Sequence, residues 1–128
     1  MTVRVLIVDD QPPFRVAANL VFDLLDEFEV VGEATSGEAA LEQVTKLEPD
    51  LVVMDINLPG MSGIDATRRV AAEHPGTFVL LASTYEVDDL PAGAETSGAL
   101  AYVHKEHLDG DLVEQLWRER ALAMWRTA

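Results

Sequence analysis

VLIVDD at residues 5–10 and LVVMD at residues 51–55 decide the fold of this chain, because each leads from a continuous aliphatic run directly into carboxylates. Parallel strands that are covered by helices on both faces are apolar throughout instead of alternating, and both runs have that character. If the two strands lie side by side, Asp9, Asp10 and Asp55 meet at the carboxyl edge of the sheet. Open α/β sheets bind their ligands at that edge.

Three neighbouring carboxylates repel each other unless a cation neutralises them. Sites made only of oxygen atoms favour hard divalent cations, and Mg²⁺ suits this set best. The sequence therefore predicts a Mg²⁺ site formed by Asp9, Asp10 and Asp55. Each aspartate alone has a plainer interpretation, since aspartates that follow strands also cap turns, loops and helices.

Composition limits the classes of protein to consider. With 128 residues, of which 48% are hydrophobic, the chain is expected to form one domain over residues 1–128 with a single core. A net charge of −14 with only nine Lys and Arg residues argues against direct binding to nucleic acid or to anionic membranes. No cysteine is present, which excludes disulfides and Cys-ligated zinc.

No apolar stretch approaches the roughly 20 residues of a membrane span. The first strand is predicted to begin within three residues of the N-terminus, which leaves no room for a signal peptide. A cytoplasmic protein is therefore expected. Its acidity is explained by a solvated surface, although it could also steer basic partner surfaces toward it.

Five apolar runs alternate with helical patterns, which indicates βαβ units and a parallel sheet. Strands are predicted at residues 3–8, around 30–31, and at 51–54, 78–82 and 100–103. The predicted helices begin after Pro12 and Pro13, at the capping-box pair Thr35 and Glu38, at Ile64, at Val87 and near Asp109.

Two of these helices raise questions. The fourth, over residues 87–97, contains Pro91 and Gly93, so a short or mobile helix is expected there. In the last, apolar residues recur at helical spacing as far as Trp125 over a wide arc, so its final roughly eight residues are predicted to form a helical extension that could meet a partner. Trp117 and Trp125 are either dimer anchors or core-capping residues.

Four motifs in order resemble the receiver domain of bacterial two-component response regulators. They are VLIVDD at 5–10, MDINLPGMSG at 54–63, LLASTY at 80–85, and Lys105 after a short strand. The segment IDATRR at 64–69 looks most like the receivers of LuxR-type regulators. The resemblance implies a CheY-like (flavodoxin-like), doubly wound α/β fold, with a five-stranded parallel sheet of order 2-1-3-4-5 and five helices.

The resemblance also implies roles for the acidic residues. Asp55 would be the phosphoacceptor, which takes a phosphoryl group from the phosphohistidine of a sensor histidine kinase. Asp10, Asp55 and the backbone carbonyl of Asn57 would coordinate Mg²⁺ directly, and Asp9 would act through water.

Three further residues complete the implied site. Ser83 matches the hydroxyl group that binds the phosphoryl oxygens, with Thr84 as the alternative. Lys105 would neutralise the phosphoryl charge. Tyr102 matches an aromatic switch whose ring turns inward when the hydroxyl residue moves, or else is a packing residue. His104 and His107 flank Lys105 without an apparent third ligand and are interpreted as solvated histidines.

The predicted function is phosphorylation-dependent switching of the face formed by helix 4, strand 5 and helix 5, in a regulatory domain that assists only its own phosphorylation and dephosphorylation. One alternative is a Mg²⁺-dependent phosphatase of the haloacid dehalogenase type, although those carry Asp-x-Asp where this chain has Asp9, Asp10 and Gln11. Another is an interaction module that works without phosphorylation. A homodimer is possible, and the sequence leaves open whether the receiver stands alone or precedes a LuxR-type DNA-binding output.

Overall fold

A computed structural model describes residues 2–122 and 124–128. Within these residues, parallel strands form one sheet in the order β2-β1-β3-β4-β5-β6. The strands are β1 Val3–Val8, β2 Phe28–Ala34, β3 Leu51–Asp55, β4 Phe78–Ser83, β5 Ala101–His104 and β6 Arg126–Thr127. The α-helices are α1 Pro12–Asp23, α2 Gly37–Leu47, α3 Gly63–Glu73 and α4 Gly110–Arg118.

The core has two halves, one on each face of the sheet. Leu6 and Val8 of β1 point to the half that contains Val44 of α2 and Val70 of α3. The intervening residues of β1 point to the opposite half, which contains residues of α1 and α4. Because alternate residues of a strand face opposite sides, a strand between two helical layers must be apolar throughout. This arrangement confirms the doubly wound fold predicted from the aliphatic runs.

The helix starts depend on side-chain caps, and one of them differs from the prediction. The N-cap of α2 is Ser36, whose Oγ accepts a hydrogen bond from the Ala39 N–H at 3.1 Å, so the capping box predicted at Thr35 is wrong by one residue. Glu38 instead accepts a hydrogen bond from the Met61 N–H at 2.8 Å. This contact connects α2 to the loop that precedes α3.

The helix predicted over residues 87–97 is wrong. A 3₁₀ turn occupies Val87–Asp89, and turns follow it. Gly93 has φ +92°, a left-handed conformation that ends a right-handed helix, and Pro91 has no N–H to donate. The part of the chain that the structure describes therefore contains four α-helices and not the predicted five.

The last helix is also shorter than predicted, because α4 ends at Arg118. After a 3₁₀ turn at Arg120–Leu122, the chain returns to the sheet and β6 pairs with β5, with Tyr102 opposite Thr127. The Arg126 guanidinium donates to both carboxylate oxygens of Glu119, at 2.6 and 3.0 Å. The predicted five-strand order is correct, but the structure adds a sixth strand where a helical extension was expected.

Both tryptophans pack against the core. The Trp117 ring makes edge contacts with Phe28 and Phe78, at centroid distances of 6.3 and 5.6 Å. Trp125 packs against the half of the core that contains Tyr102. These contacts favour the core-packing interpretation of both residues, and the homodimer stays a prediction. Among the described residues, no helix has the length and apolar character needed to cross a membrane.

Candidate functional site

Three carboxylates meet at the carboxyl edge of the sheet, as the strand ends predict. Asp9 and Asp10 follow β1, Asp55 ends the adjacent β3, and one carboxylate oxygen from each lies within 4.8 Å of the others. Asp9 is 0% and Asp55 4% exposed, whereas Asp10 is exposed to solvent. Two of the three negative charges are therefore largely shielded from water.

Asp9 is held in place by the segment that leads into α1. Its Oδ1 accepts a hydrogen bond from the Gln11 N–H at 2.8 Å, and its backbone carbonyl accepts one from the Arg15 guanidinium at 2.8 Å. Its buried Oδ2 accepts no hydrogen bond of good geometry within the described chain, although Lys105 Nζ lies 2.6 Å from it. The second oxygen of Asp9 is therefore paired by charge alone.

Lys105 lies beside the two buried carboxylates of the cluster. Its Nζ is 2.6 Å from Asp9 Oδ2 and 3.6 Å from Asp55 Oδ1, and it also lies 4.7 Å from the centre of the Phe14 ring. The side chain is only 12% exposed, so it is not an ordinary surface lysine. An ammonium group in this position offsets part of the carboxylate charge, and the phenylalanine face adds a weaker attraction.

The environment of Asp55 disfavours its charged form. Burial has the largest effect and the negative charge of Asp9 adds to it, so that the pKa of Asp55 rises to about 6 in spite of the opposing charge of Lys105. A hydrogen bond from the Asn57 N–H also opposes the rise in this pKa. Asp55 is therefore a carboxylate that gains from any additional positive charge.

The raised pKa predicts how Asp55 changes stability with pH. The unfolded chain releases this proton near the ordinary pKa of 3.8 and the folded chain near 6, so the contribution of Asp55 to stability falls as the pH rises between these values. Above this window, the ionised Asp55 costs about 3 kcal/mol. Without metal, Asp55→Asn should therefore raise the free energy of unfolding by about 2 to 3 kcal/mol at neutral pH, and by little near pH 4.

Urea unfolding in a chelating buffer at both pH values measures this difference. Asp26→Asn, which replaces an exposed aspartate in the turn after α1, is the control and should change stability little at either pH. An equal gain for Asp55→Asn at both pH values would show that relief of the buried charge is not its cause.

The cluster fits a hard divalent cation. It offers three carboxylates, a buried oxygen of Asp9 whose partner in the structure is the Lys105 ammonium, and an acid whose pKa is raised partly by its acidic neighbours. Oxygen donors in such a set match the preference of Mg²⁺. Asn57 is exposed, and its Oδ1 accepts a hydrogen bond from the Tyr85 hydroxyl at 3.2 Å. The backbone carbonyl of Asn57 as a ligand stays a prediction.

Ser83 and Tyr102 form one buried hydrogen-bonded unit. Ser83 Oγ lies 3.0 Å from the Tyr102 hydroxyl and accepts a hydrogen bond from the Tyr85 N–H at 3.1 Å. The Tyr102 hydroxyl is also 2.6 Å from the Tyr85 carbonyl oxygen. A phenol has only one proton, so the short distance indicates that Tyr102 donates to Tyr85 and accepts from Ser83. The Tyr102 ring is fully buried, whereas Thr84 is exposed.

Three residues near the site were missed or misread in the sequence. Gly63 begins α3, and a Cβ at this position would lie 1.8 Å from the carbonyl oxygen of Asp55, so α3 can approach β3 only because this residue has no side chain. Phe14 was not singled out as a site residue, but its ring lies against Lys105. His104 is 9% exposed and not solvated as predicted, whereas His107 is exposed.

Comparison with known proteins identifies the family. The family model described as response regulator receiver domain matches residues 5–116, which is most of the chain. The chain belongs to this family. It is a receiver domain of two-component signalling, and the match gives no support to either alternative function considered above.

The relatives of this receiver include response regulators that are about twice as long. It is 37% identical over 103 residues to the response regulator GacA of Pseudomonas viridiflava, and the aligned residues cover 80% of this chain and 48% of GacA. It is 35% identical over 109 residues to the transcriptional regulatory protein DegU of Brevibacillus brevis, and the aligned residues cover 85% of this chain and 46% of DegU. The chain thus spans about half the length of these curated relatives.

Solved structures show the same fold. The signal receiver domain of the putative response regulator NarL from Mycobacterium tuberculosis has a TM-score of 0.84 and 31% identity, with 94% of this chain and 97% of that chain covered. A LuxR-family response regulator from Aurantimonas sp. SI85-9A1 has a TM-score of 0.85 and 29% identity, with 98% and 89% covered. The predicted resemblance to the receivers of LuxR-type regulators is confirmed.

Proposed function

We propose that this receiver accepts a phosphoryl group on Asp55 from the phosphohistidine of a sensor histidine kinase, and that the modification changes its output surface. One observation supports the choice of acceptor above all others. The Asp55 carboxylate is fixed at the end of a central strand, in the same small cluster as two further carboxylates and 3.6 Å from the Lys105 ammonium. Asp9 is already paired with Lys105 at 2.6 Å, which leaves Asp55 as the less engaged of the two buried acids.

In the proposed transfer, an Asp55 carboxylate oxygen attacks phosphorus as the bond from phosphorus to the histidine nitrogen breaks, and the imidazole leaves. The acceptor must be ionised, and a pKa of about 6 keeps most of Asp55 in that form at neutral pH. Lys105 would move from the carboxylates toward the transferred oxygens and stabilise their charge. Asp9, Asp10, Asp55 and the Asn57 carbonyl would hold Mg²⁺, which when bound supplies further positive charge for the same oxygens.

Ser83 and Tyr102 are the proposed link from the site to the surface. If the Ser83 hydroxyl turned to bind a phosphoryl oxygen, Tyr102 would lose the hydrogen bond that it accepts at 3.0 Å. Tyr102 lies on β5, whose edge is paired with β6. The surface that responds would then consist of the turns at residues 84–100, β5, β6 and α4, since no α-helix occupies the position of the predicted helix 4.

The chain's own role in this scheme is regulatory, as in receivers generally, with no turnover of a separate substrate. Relatives of greater length suggest an output unit, and one neighbour is a DNA-binding response regulator of the LuxR family from Staphylococcus aureus. We also propose that the receiver controls a DNA-binding output and that it forms a homodimer. Its proposed location is the cytoplasm, which is typical of the family. The receiver segment itself, with a net charge of −14, is not expected to bind DNA.

Phosphorylation by a small-molecule donor tests the proposal without knowledge of the kinase. The chain is incubated with phosphoramidate, with and without Mg²⁺, and its intact mass is measured. We expect one phosphoryl group per chain with Mg²⁺, and at least about tenfold slower incorporation in a chelating buffer, because the carboxylate cluster then repels the donor. No incorporation in the presence of Mg²⁺ would contradict the proposed function.

A further inference from the structure

The turn that carries Lys105 begins with an unusual cap. His104 ends β5, and its Nδ1 accepts a hydrogen bond from the Glu106 N–H at 3.1 Å. The 3₁₀ turn that follows occupies only Lys105–His107. A single 3₁₀ turn is marginal by itself, and its first N–H groups have no partner within the turn, so a side chain that accepts one of them stabilises the turn.

The ring of His104 is well fixed for this purpose. The residue is 9% exposed, and its backbone N–H donates to the Ala128 carbonyl oxygen at 2.8 Å. Because Nδ1 acts as the acceptor, the neutral ring carries its proton on Nε2, which lies 3.9 Å from the Glu86 carboxylate. The exposed His107 ring lies at a centroid distance of 5.2 Å from the His104 ring. The cap is thus built from a buried, oriented imidazole.

Lys105 is the first residue of this turn. It directly follows β5, and its Nζ lies 2.6 Å from Asp9 Oδ2 and 3.6 Å from Asp55 Oδ1. A flexible lysine side chain that starts from a loose backbone would spread over many positions, each with a different distance to Asp55. A small shift of a charged group away from the reacting atoms lowers its effect on the transition state.

We infer that His104 is a positioning residue for phosphoryl transfer, because its Nδ1 fixes the turn that delivers Lys105 to Asp55. The inference rests on the proposed function, in which Lys105 stabilises the transferred oxygens. In this scheme, His104 itself touches neither the phosphoryl group nor the carboxylates of Asp9, Asp10 and Asp55. Its effect must therefore pass through Lys105, which makes the inference testable by a double-mutant cycle.

His104→Phe keeps an aromatic ring and removes the acceptor, while His104→Asn keeps a short side chain with an accepting oxygen, a preferred cap. We expect phosphorylation by phosphoramidate and Mg²⁺ to be roughly threefold to thirtyfold slower in the phenylalanine protein, which corresponds to the usual range for a lost cap. The asparagine protein should stay within about twofold of the unsubstituted chain. Glu106→Gln is the matched control on the same turn, because it keeps the backbone N–H that donates to His104 and changes only an exposed side chain, so it should leave the rate unchanged.

The same substitution in a Lys105→Ala background distinguishes positioning from a general structural effect. If His104 acts through Lys105, His104→Phe should slow the reaction only when the lysine is present. Equal slowing in both backgrounds would overturn the inference, as would a normal rate for His104→Phe when Lys105→Ala is slow. If the unsubstituted chain is not phosphorylated at all, the proposed function fails as well.

A measurement that does not depend on phosphorylation completes the test. Amide hydrogen exchange of Glu106 should be slow in the unsubstituted and asparagine proteins, and faster in the phenylalanine protein. Fast exchange of Glu106 in the unsubstituted chain would overturn the inference. If His104→Phe does not fold, His104→Leu, which also lacks the acceptor, takes its place in every comparison.

Discussion

Replacing Asp55 with asparagine is expected to reduce phosphorylation by phosphoramidate and Mg²⁺ by at least about a hundredfold, to background. The amide has the size of the carboxylate but is a far weaker nucleophile, and it also removes one of the three charges that would hold the cation. Intact mass after incubation gives the extent of reaction. The substitution relieves an unfavourable buried charge, so loss of reaction should accompany a fold that is at least as stable at neutral pH.

Asp65→Asn is the matched control for this experiment. Asp65 is an exposed aspartate on α3 that pairs with Arg68 at 2.7 Å and is not one of the three clustered carboxylates. Its replacement should leave the rate unchanged. Phosphorylation of Asp55→Asn at the rate of the control would show that another residue is the acceptor, and fragment masses would then identify it.

The position of the carboxylate site could be predicted because it follows from local sequence and a general property of parallel sheets. Each aliphatic run specifies a strand, each strand ends in acid, and adjacent parallel strands end at one edge. The convergence of Asp9, Asp10 and Asp55 can therefore be predicted without any knowledge of side-chain packing. Lys105 was included only through the resemblance to receivers, since its reach into the cluster depends on the turn after β5.

The C-terminal region could not be predicted in the same way. Apolar residues at helical spacing continue to Trp125, and no glycine or proline interrupts them, so local pattern favours a longer helix. In the structure, contacts with residues distant in sequence hold this segment in a strand instead of a helix. Thr127 pairs with Tyr102, and Arg126 Nη1 donates to both carboxylate oxygens of Glu119. Contacts of this kind depend on the tertiary fold and leave no periodic signal in the sequence.

Two details of the site were hidden for a related reason. His104 was interpreted as solvated because no third metal ligand was apparent near it and His107, but β5 buries its ring and the turn uses its Nδ1. The hydrogen bond between Ser83 and Tyr102 joins residues on adjacent strands. Their register, with Ser83 opposite His104, can be obtained only from the paired sheet.

Gly63→Ala is expected to lower the free energy of unfolding by about 3 kcal/mol or more. Helix propensity alone predicts the opposite sign, because alanine is a better helix former than glycine, although the full difference of about 1 kcal/mol applies to helix interiors and Gly63 is the first residue of α3. The steric effect should win, since the added Cβ would lie 1.8 Å from the Asp55 carbonyl oxygen and 2.8 Å from its carbonyl carbon. Both atoms belong to the backbone of a buried central strand, so neither can move aside as a side chain would.

Gly76→Ala provides the comparison, because a Cβ at Gly76 would meet no atom within 4 Å. This substitution should leave stability unchanged or raise it slightly, by reducing the freedom of the unfolded chain. Urea unfolding of both proteins measures the contrast. Gly63→Ala should also slow phosphorylation, because relief of the clash requires α3 or the end of β3 to shift, and Asp55 lies at that end. If the Gly63→Ala protein were as stable as the Gly76→Ala protein, the added Cβ could not lie 1.8 Å from the Asp55 carbonyl oxygen, and the close approach of α3 to β3 would be contradicted.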